Sequence, residues 1–415
     1  MRILHVSTFA LPETVGGTQV LLSSLSRTQR HRGHEVVILR HDSDPAREEY
    51  GVTTADLDGI EVLSLSYRFG DCRDFRGIYR NDRVDEIFGE ILDRVRPDVV
   101  HVHHLTCLST GILAKTRDRG VPTVLTLFDF WLGCPRGQRI QDDLTLCRTI
   151  DRDQCIKCCA RLWPDFLSPT DPAPILEYDR WIRALLQDVD VITTPSRSTR
   201  DEYLAWGLDR PDMLVVEPGL DHERFPPRTE RSREPFRLAF VGTVIPSKGV
   251  HVAVEAVQRL DPERFTLDVH GDEPRWHSDH GYGARLRAAH RGTHRIRFHG
   301  RYDNHDLPRI LADVDALIVP SLWHETYCLT IREGFLAGLP VIVSRLGAMA
   351  EGVVDGETGL LFTPGDAGDL AGQIQRLCDD RVLYRRLSTS HKAVPTTARM
   401  TDALLAVYGN AKAVR

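Results

Sequence analysis

Lysine is nearly missing from this 415-residue chain: Lys115, Lys157, Lys248, Lys392 and Lys412 are the whole complement, and arginine supplies the rest of the positive side-chain charge. With 53 Lys+Arg against 59 Asp+Glu the net charge is -6, and the signs are interspersed. No broad basic face is left for a nucleic-acid backbone, so nucleic acid is not expected as a partner. Nowhere do about eighteen apolar residues run together, which excludes a membrane-spanning helix and leaves contact with a membrane surface open. The start lacks a basic stretch followed by an apolar core and a cleavage site. Met1 to Ser7 reads as a strand at once, and the expected location is cytoplasmic. Low-complexity tracts and short repeats are also missing. The length exceeds one compact core and suits two domains of about 200 residues each.

The most informative segment runs from Ala316 to Ser344. Ala316 to Val319 is a short apolar run of the kind a strand buried on both faces shows, and Pro320-Ser321 ends it. Glu325 then falls in a loop. From Leu329 the apolar residues Leu329, Phe335, Leu336 and Leu339 predict a helix carrying Glu333, with Gly338 near its C-terminus, Pro340 beyond, and a strand at Val341 to Val343. In such a βαβ unit ligands settle outside the carboxyl ends of the strands. A helix N-terminus there offers free N–H groups to phosphate, and a carboxylate accepts hydrogen bonds from vicinal hydroxyls. Phosphate and diol are the two halves of a sugar nucleotide. Two carboxylates at this spacing are also common as solvated surface charges, and the neighbouring sequence decides between the readings.

Glu325, seven intervening residues, Glu333 and then Phe335-Leu336-Ala337-Gly338-Leu339-Pro340-Val341-Ile342 resemble the E-x7-E signature of retaining family 4 glycosyltransferases. Downstream, Gly347 to Val353 and Gly356-Glu357-Thr358-Gly359-Leu360-Leu361-Phe362 resemble that family's glycine-rich turn and closing G-L-L-F stretch. Upstream, Phe240 to Gly249 is similar to its V-G-R-L-x-x-x-K-G element, and Val215 to Asp221 to its V-I-P-N-G-V-D segment, with Pro218 where Asn is usual. The resemblance implies an α/β GT-B fold of two Rossmann-like, doubly wound domains facing a cleft, the donor held mainly by the second and the acceptor mainly by the first. The expected division is 1–221 for the first domain with a cysteine-rich insertion at 134–159, 222–235 for a linker rich in Arg, Glu and Pro, 236–388 for the second domain, and 389–415 for a terminal helical segment packing back on the first. Strands are expected at Ile3–Val6, Val36–Leu39, Val99–His103, Thr123–Leu127 and Val189–Thr193, with a helix from about Thr18 to Arg32; the second sheet would use Leu238–Val241, Leu267–Val269, Ile296–Phe298, Ala316–Val319 and Val341–Val343.

The implied activity is transfer of a hexosyl unit, with retention, from a UDP- or GDP-sugar to a hydroxyl acceptor: a glycan, a lipid carrier or a small natural product. Lys248, the Gly16-Gly17 loop and the helix start at Leu329-Thr330 are expected at the pyrophosphate, Thr243 beside them, Gly271 where the family reads the base, Glu333 at the ribose diol, and Glu325 at the sugar hydroxyls. Taken alone, Gly16-Gly17 is an ordinary flexible turn, Gly271 in His270-Gly271-Asp272 a tight turn, and Lys248 a surface lysine. Catalytic candidates are Glu325, Lys248, Asp129 and His103. His101 and His103 share a strand face while His104 points away, and hydrogen bonding at the strand end is the plainer reading of the group. No paired-aspartate metal motif is seen in the donor half, so no catalytic divalent ion is expected.

Three departures from the family pattern stand out. Phe128 replaces a usual His that meets the acceptor, and Phe cannot exchange a proton. Thr243 replaces the usual pyrophosphate Arg, removing a fork of charged donors. Cys328 replaces a usual Gly, implying an ordinary φ or a tolerated side chain. The first two motivate a rival, a non-catalytic sugar-nucleotide-binding partner of another glycosyltransferase; a phosphorylase of the same fold is a further alternative. Finally, of nine cysteines Cys134, Cys147, Cys155, Cys158 and Cys159 crowd into one segment whose Pro135, Gly137 and Pro164 read as loop. The Cys155-x-x-Cys158 gap with Cys134 and Cys147 suits a structural zinc, ahead of iron–sulfur ligation, reduced thiols or a redox pair.

Overall fold

The computed structural model describes residues 1–8, 10, 16–141, 143–148, 151–227, 234–277, 279 and 281–413. It divides into two compact units: Met1–Gly137, Arg148–Leu220 and Pro395–Arg415 form the first, Gln138–Cys147 and Asp221–Val394 the second. Residues 228–233 of the expected linker lie outside the described residues.

The first unit is built on eight strands: β1 (Arg2–Ser7), β2 (Glu35–Asp42), β3 (Val52–Leu57), β4 (Ile60–Ser66), β5 (Val99–Val102), β6 (Thr123–Thr126), β7 (Val191–Thr194) and β8 (Leu214–Val215). Their order is β3-β4-β2-β1-β5-β6-β7-β8, parallel except that β3 runs antiparallel to β4. That hairpin turns at Asp58 and Gly59, both at positive φ, the geometry Asp-Gly favours in a tight connection. The Gly17–His31 helix follows β1, and its Leu25 packs with Ile3, Val99 and Val124 and with Met400, Leu404 and Tyr408 of the Thr397–Ala413 helix.

The second unit holds β9 (Phe236–Val241), β10 (Phe265–His270), β11 (Ile296–Gly300), β12 (Ala316–Val319), β13 (Val341–Ser344) and β14 (Leu360–Phe362), all parallel in the order β11-β10-β9-β12-β13-β14. The apolar run at Ala316–Val319 is buried throughout, as a central parallel strand requires. The order reverses direction between β9 and β12, the switch point at which the loops leaving their carboxyl ends diverge and leave room for a ligand.

The loops after β9 and β10 are pressed together backbone to backbone. Gly242 N–H donates to His270 O at 3.0 Å, Gly271 N–H to Gly300 O at 2.9 Å, and a Cβ added at Gly271 would lie 1.8 Å from Gly242 O. Gly271 is therefore needed for close packing, a stronger requirement than the tight turn expected from sequence. Gly271→Ala forces these loops apart and is expected to destabilise the protein by about 2–3 kcal/mol, lowering Tm by about 4–10 °C in a calorimetric scan. An unchanged Tm would show that the loops separate without strain.

Candidate functional site

In the second unit the chain after β9 makes a short turn at Pro246–Lys248 and enters the Val250–Gln258 helix through Gly249 at φ 70°. A Cβ at Gly249 would sit 2.0 Å from Pro320 O, and Leu322 N–H donates to Ser247 O at 2.7 Å. The turn is thus fastened to the loop leaving β12, and two residues distant in sequence meet: Lys248 Nζ donates to Glu325 Oε1 at 2.6 Å. Ser321 Oγ donates to the same oxygen at 2.7 Å, and Nζ lies 5.5 Å from the Trp323 ring centroid. Burial alone would lower the Lys248 pKa, but the Glu325 carboxylate outweighs it and the net shift is upward. Ser321 and Trp323 were not among the expected site residues; both lie in the Pro320 to Glu325 loop that the turn after β12 already pointed to.

The helix expected after that loop is Leu329–Leu336, with Leu329 and Thr330 in its first turn and Glu333 buried on its inner side. Burial pushes the Glu333 carboxyl up to about 7, offset in part by Arg224. Cys328, at the helix N-cap, has φ 62° and ψ 76°. Its backbone therefore keeps the left-handed conformation that glycine favours, and the expectation of an ordinary φ is corrected: a side chain is carried at a strained position. Its thiol is pushed up to about 12, first by burial and then by Glu325. Thr243 sits in the loop after Gly242, its carbonyl accepting from Ile245 N–H at 3.1 Å.

In the first unit Gly16 is the N-cap of the Gly17–His31 helix and Gly17 its first residue, so the pair stands at a helix start rather than within a loop. Residues 11–15, the rest of the loop expected to face phosphate, lie outside the described residues. β5 ends at Val102 and β6 at Thr126, each one strand position earlier than expected, which puts His103 beyond β5; Phe128 and Asp129 lie beyond β6, as the expected end at Leu127 already had them. His103 is buried and neutral: its pKa falls well below 6.5 through burial and then His101 and His5. It shares a 2.9 Å hydrogen bond with His5 Nδ1, while Phe128 stacks on its ring at 6.0 Å. The residue paired with Asp129 is His104, through Nε2. Strand parity had pointed His104 away and favoured His103, and the early end of β5 removes that parity.

The expected zinc set is not assembled. Cys155 and Cys158 lie on a helix, Arg152–Leu162, rather than a loop, and Cys147 belongs to the second unit whereas Cys134, Cys155 and Cys158 belong to the first. Among the described residues no group of three around these cysteines brings its ligand atoms within 4.8 Å of one another. Two other groups do. His5, His101 and His103 are linked instead into a buried chain with Gln29, Tyr408 and Thr126 at 2.7–3.2 Å. Asp268, beside His270 and His299, has both oxygens engaged by Arg297 at 2.7 Å.

A family model described as Glycosyltransferase Family 4 matches residues 15–224, half of the chain, and a second, Glycosyl transferases group 1, matches residues 235–380. The chain belongs to glycosyltransferase family 4. Glycogen synthase of Mycobacterium tuberculosis strain H37Rv is 27% identical to this glycosyltransferase over 411 residues, covering 93% of this chain and 88% of its own. D-inositol 3-phosphate glycosyltransferase of Corynebacterium diphtheriae is 28% identical over 439 residues, covering 99% and 94%. Among solved structures, sucrose-phosphate synthase of Thermosynechococcus elongatus superposes with a TM-score of 0.68 at 19% identity, covering 99% of this chain and 96% of that one. Anabaena Alr3699/HepE in complex with UDP and glucose gives 0.67 at 16%, covering 98% and 99%. The fold is GT-B.

Glu333 gives this glycosyltransferase a measurable pH signature. Burial raises its carboxyl from the ordinary 4.5 to about 7, so the folded state holds this proton more tightly and loses stability as pH rises from about 4.5 to about 7. Glu333→Gln removes that loss. Relative to wild type the variant is expected to be more stable at pH 8 than at pH 5, by up to about 3 kcal/mol across the interval in urea titrations. A pH-independent difference would mean that Glu333 is ionised freely in the folded protein.

Proposed function

We propose that this glycosyltransferase moves a hexosyl unit from a UDP- or GDP-sugar to a hydroxyl acceptor with retention of anomeric configuration. The observation carrying the reading is the Lys248–Glu325 pair, with Ser321 on the same carboxylate oxygen and the Glu333 helix starting just beyond. Lys248 meets the donor's pyrophosphate as a compact cation, aided by the backbone N–H groups of Leu329 and Thr330. Glu333 accepts hydrogen bonds from the ribose diol. Glu325 holds sugar hydroxyls and stabilises positive charge developing at the anomeric carbon. Thr243 and Gly271 line the same end of the sheet. The departing phosphate takes the acceptor's proton as it leaves, a route that asks little of a protein base and tolerates Phe128. Solved neighbours bound to UDP and glucose, or to ADP, support a nucleotide-linked donor.

The test is nucleoside diphosphate release from UDP- and GDP-sugars without added phosphate. Wild type is expected to turn over at least one donor, and Lys248→Ala to reduce kcat/KM about 100-fold or more. Glu333→Ala is expected to weaken nucleotide binding about tenfold by calorimetry, as loss of a charged hydrogen bond implies. Unchanged nucleotide affinity removes the ribose assignment. Tight binding without turnover favours a non-catalytic partner, and a requirement for inorganic phosphate favours a phosphorylase.

A further inference from the structure

A cleft of about 340 Å3 opens on one face of the second unit's sheet, walled by β9, β10, β11 and the Leu307–Ala312 helix with the turn after it. Arg237 is the second residue of β9 and Asp313 precedes β12, so the cleft runs toward the amino ends of strands whose carboxyl ends lead to Lys248 and Glu325. All of it lies within Asp221–Val394. The volume is that of a small-molecule site, yet the lining is mostly charged: Arg237, Arg297 and Arg309 against Asp268 and Asp313. The excess of positive charge continues along the chain. Ala284 to Tyr302 holds six arginines and three histidines and no carboxylate, in a protein whose net charge is -6, so the potential at this edge of the sheet favours an anion.

Two of these charges act as one. Arg297 Nε and Nη2 donate to Asp268 Oδ1 and Oδ2, both at 2.7 Å, and His299 Nε2 lies 2.7 Å from Oδ1. The buried carboxylate thereby fixes a half-exposed guanidinium in place and leaves its two Nη1 hydrogens to face the cleft's contents. Arg237 donates its backbone N–H to Asp315 at 2.8 Å, and its guanidinium makes no ion pair among the described residues. Arg309 is exposed and reaches Asp306 at 3.3 Å. A cation is the rival occupant, since Asp268, His270 and His299 bring ligand atoms within 4.8 Å of one another. The two imidazoles, however, stack face to face, with 4.2 Å between centroids and 3° between planes. A ring nitrogen offers its lone pair in the plane of the ring, so parallel rings cannot share one ion, and Arg297 already holds both carboxylate oxygens. Burial and then His299 bring the His270 pKa down to about 4, so that ring adds no charge of its own.

We propose that this cleft binds a phosphate group, free or as the monoester of a small metabolite, with Arg237 and Arg297 as its principal ligands and Arg309 beside them. Guanidinium forks match pairs of phosphate oxygens, and Asp268 has already met the ordering cost of one of them.

Calorimetric titration of the full chain tests this, with inorganic phosphate and glucose 6-phosphate as probes and glucose as the uncharged control. Saturable binding of at least one phosphate probe is expected at low ionic strength with Kd below about 1 mM, weakening as salt is added, and glucose is expected to give none. Equal affinities support the site with free phosphate as its ligand, and a preference of about tenfold for the ester supports it with a monoester. Arg237→Gln is expected to raise Kd about tenfold and Arg309→Gln about threefold, the second at an exposed position where the fold is not at stake. Lys248→Ala is expected to bind phosphate as wild type does, which separates this site from the donor reading. No saturable binding, or unchanged affinity in both arginine variants, overturns the proposal. Loss of binding in Lys248→Ala alone overturns it by placing the anion at the turn after β9, and stoichiometric Zn2+ uptake that His270→Ala abolishes overturns it in favour of a metal.

Discussion

A carboxylate with six per cent of its surface exposed needs a partner, because removing one member of a buried ion pair costs about 3–5 kcal/mol. Glu325 has that partner in Lys248, and the surrounding backbone is arranged to deliver it. The Ser247–Gly249 turn can lie against Pro320 only because residue 249 has no side chain, and the Leu322 to Ser247 hydrogen bond locks the approach. Lysine suits the place better than arginine would: a single ammonium on a flexible stem reaches one carboxylate oxygen and retains donors for a second anion. The scarcity of lysine elsewhere makes this position more telling, since arginine supplies most of the ion pairs among the described residues and Lys412, paired with Asp98, is the other lysine in one.

The first unit handles buried polarity differently. His5, His101 and His103 are almost fully inside, and burial holds all three below the usual imidazole range, so they pack as neutral rings. Gln29 accepts from His5 Nε2, leaving His5 Nδ1 to accept from His103, and Tyr408 and Thr126 engage the two nitrogens of His101. Neutral donors and acceptors in series satisfy one another without the desolvation penalty of a charge. His104, one residue beyond, is partly exposed and paired with Asp129, which outweighs burial and shifts its pKa upward. The change in character occurs where the strand stops.

Much of this was readable from residues. The apolar runs at Ala316–Val319 and Val341–Val343, with Gly338 and Pro340 between, located β12, the Glu333 helix and β13 to within a residue, because period, breaker and cap all agree there. The β3–β4 hairpin was missed although Leu57-Asp58-Gly59-Ile60 carries its turn signal; β3 is a polar edge strand, and its Thr53, Thr54 and Asp56 show no apolar face. The Arg152–Leu162 helix was read as loop because flanking proline and glycine outweighed the Asp151 cap. His104 in place of His103 was beyond sequence reasoning, since a one-residue shift in where β5 ends decides which side chain reaches Asp129. The left-handed φ at Cys328 was hidden for a similar reason: the helix start imposes it, and a cysteine there announces nothing.

The first unit is assembled from chain that brackets the second. Pro395 to Ala413 closes its core through Met400, Leu404 and Tyr408, and Tyr408 hydroxyl joins Gln29 to His101 across residues separated by more than three hundred positions. During synthesis the β1–β2–β5 layer therefore waits with an apolar groove uncovered while the whole of the second unit is made. The Asp221–Val394 stretch, which with the earlier Gln138–Cys147 makes up the second unit, can fold as it emerges, whereas the N-terminal body is sealed last, by the Thr397–Ala413 helix. Vulnerability to proteases and chaperone demand in the nascent protein should accordingly be concentrated in the half that is translated first.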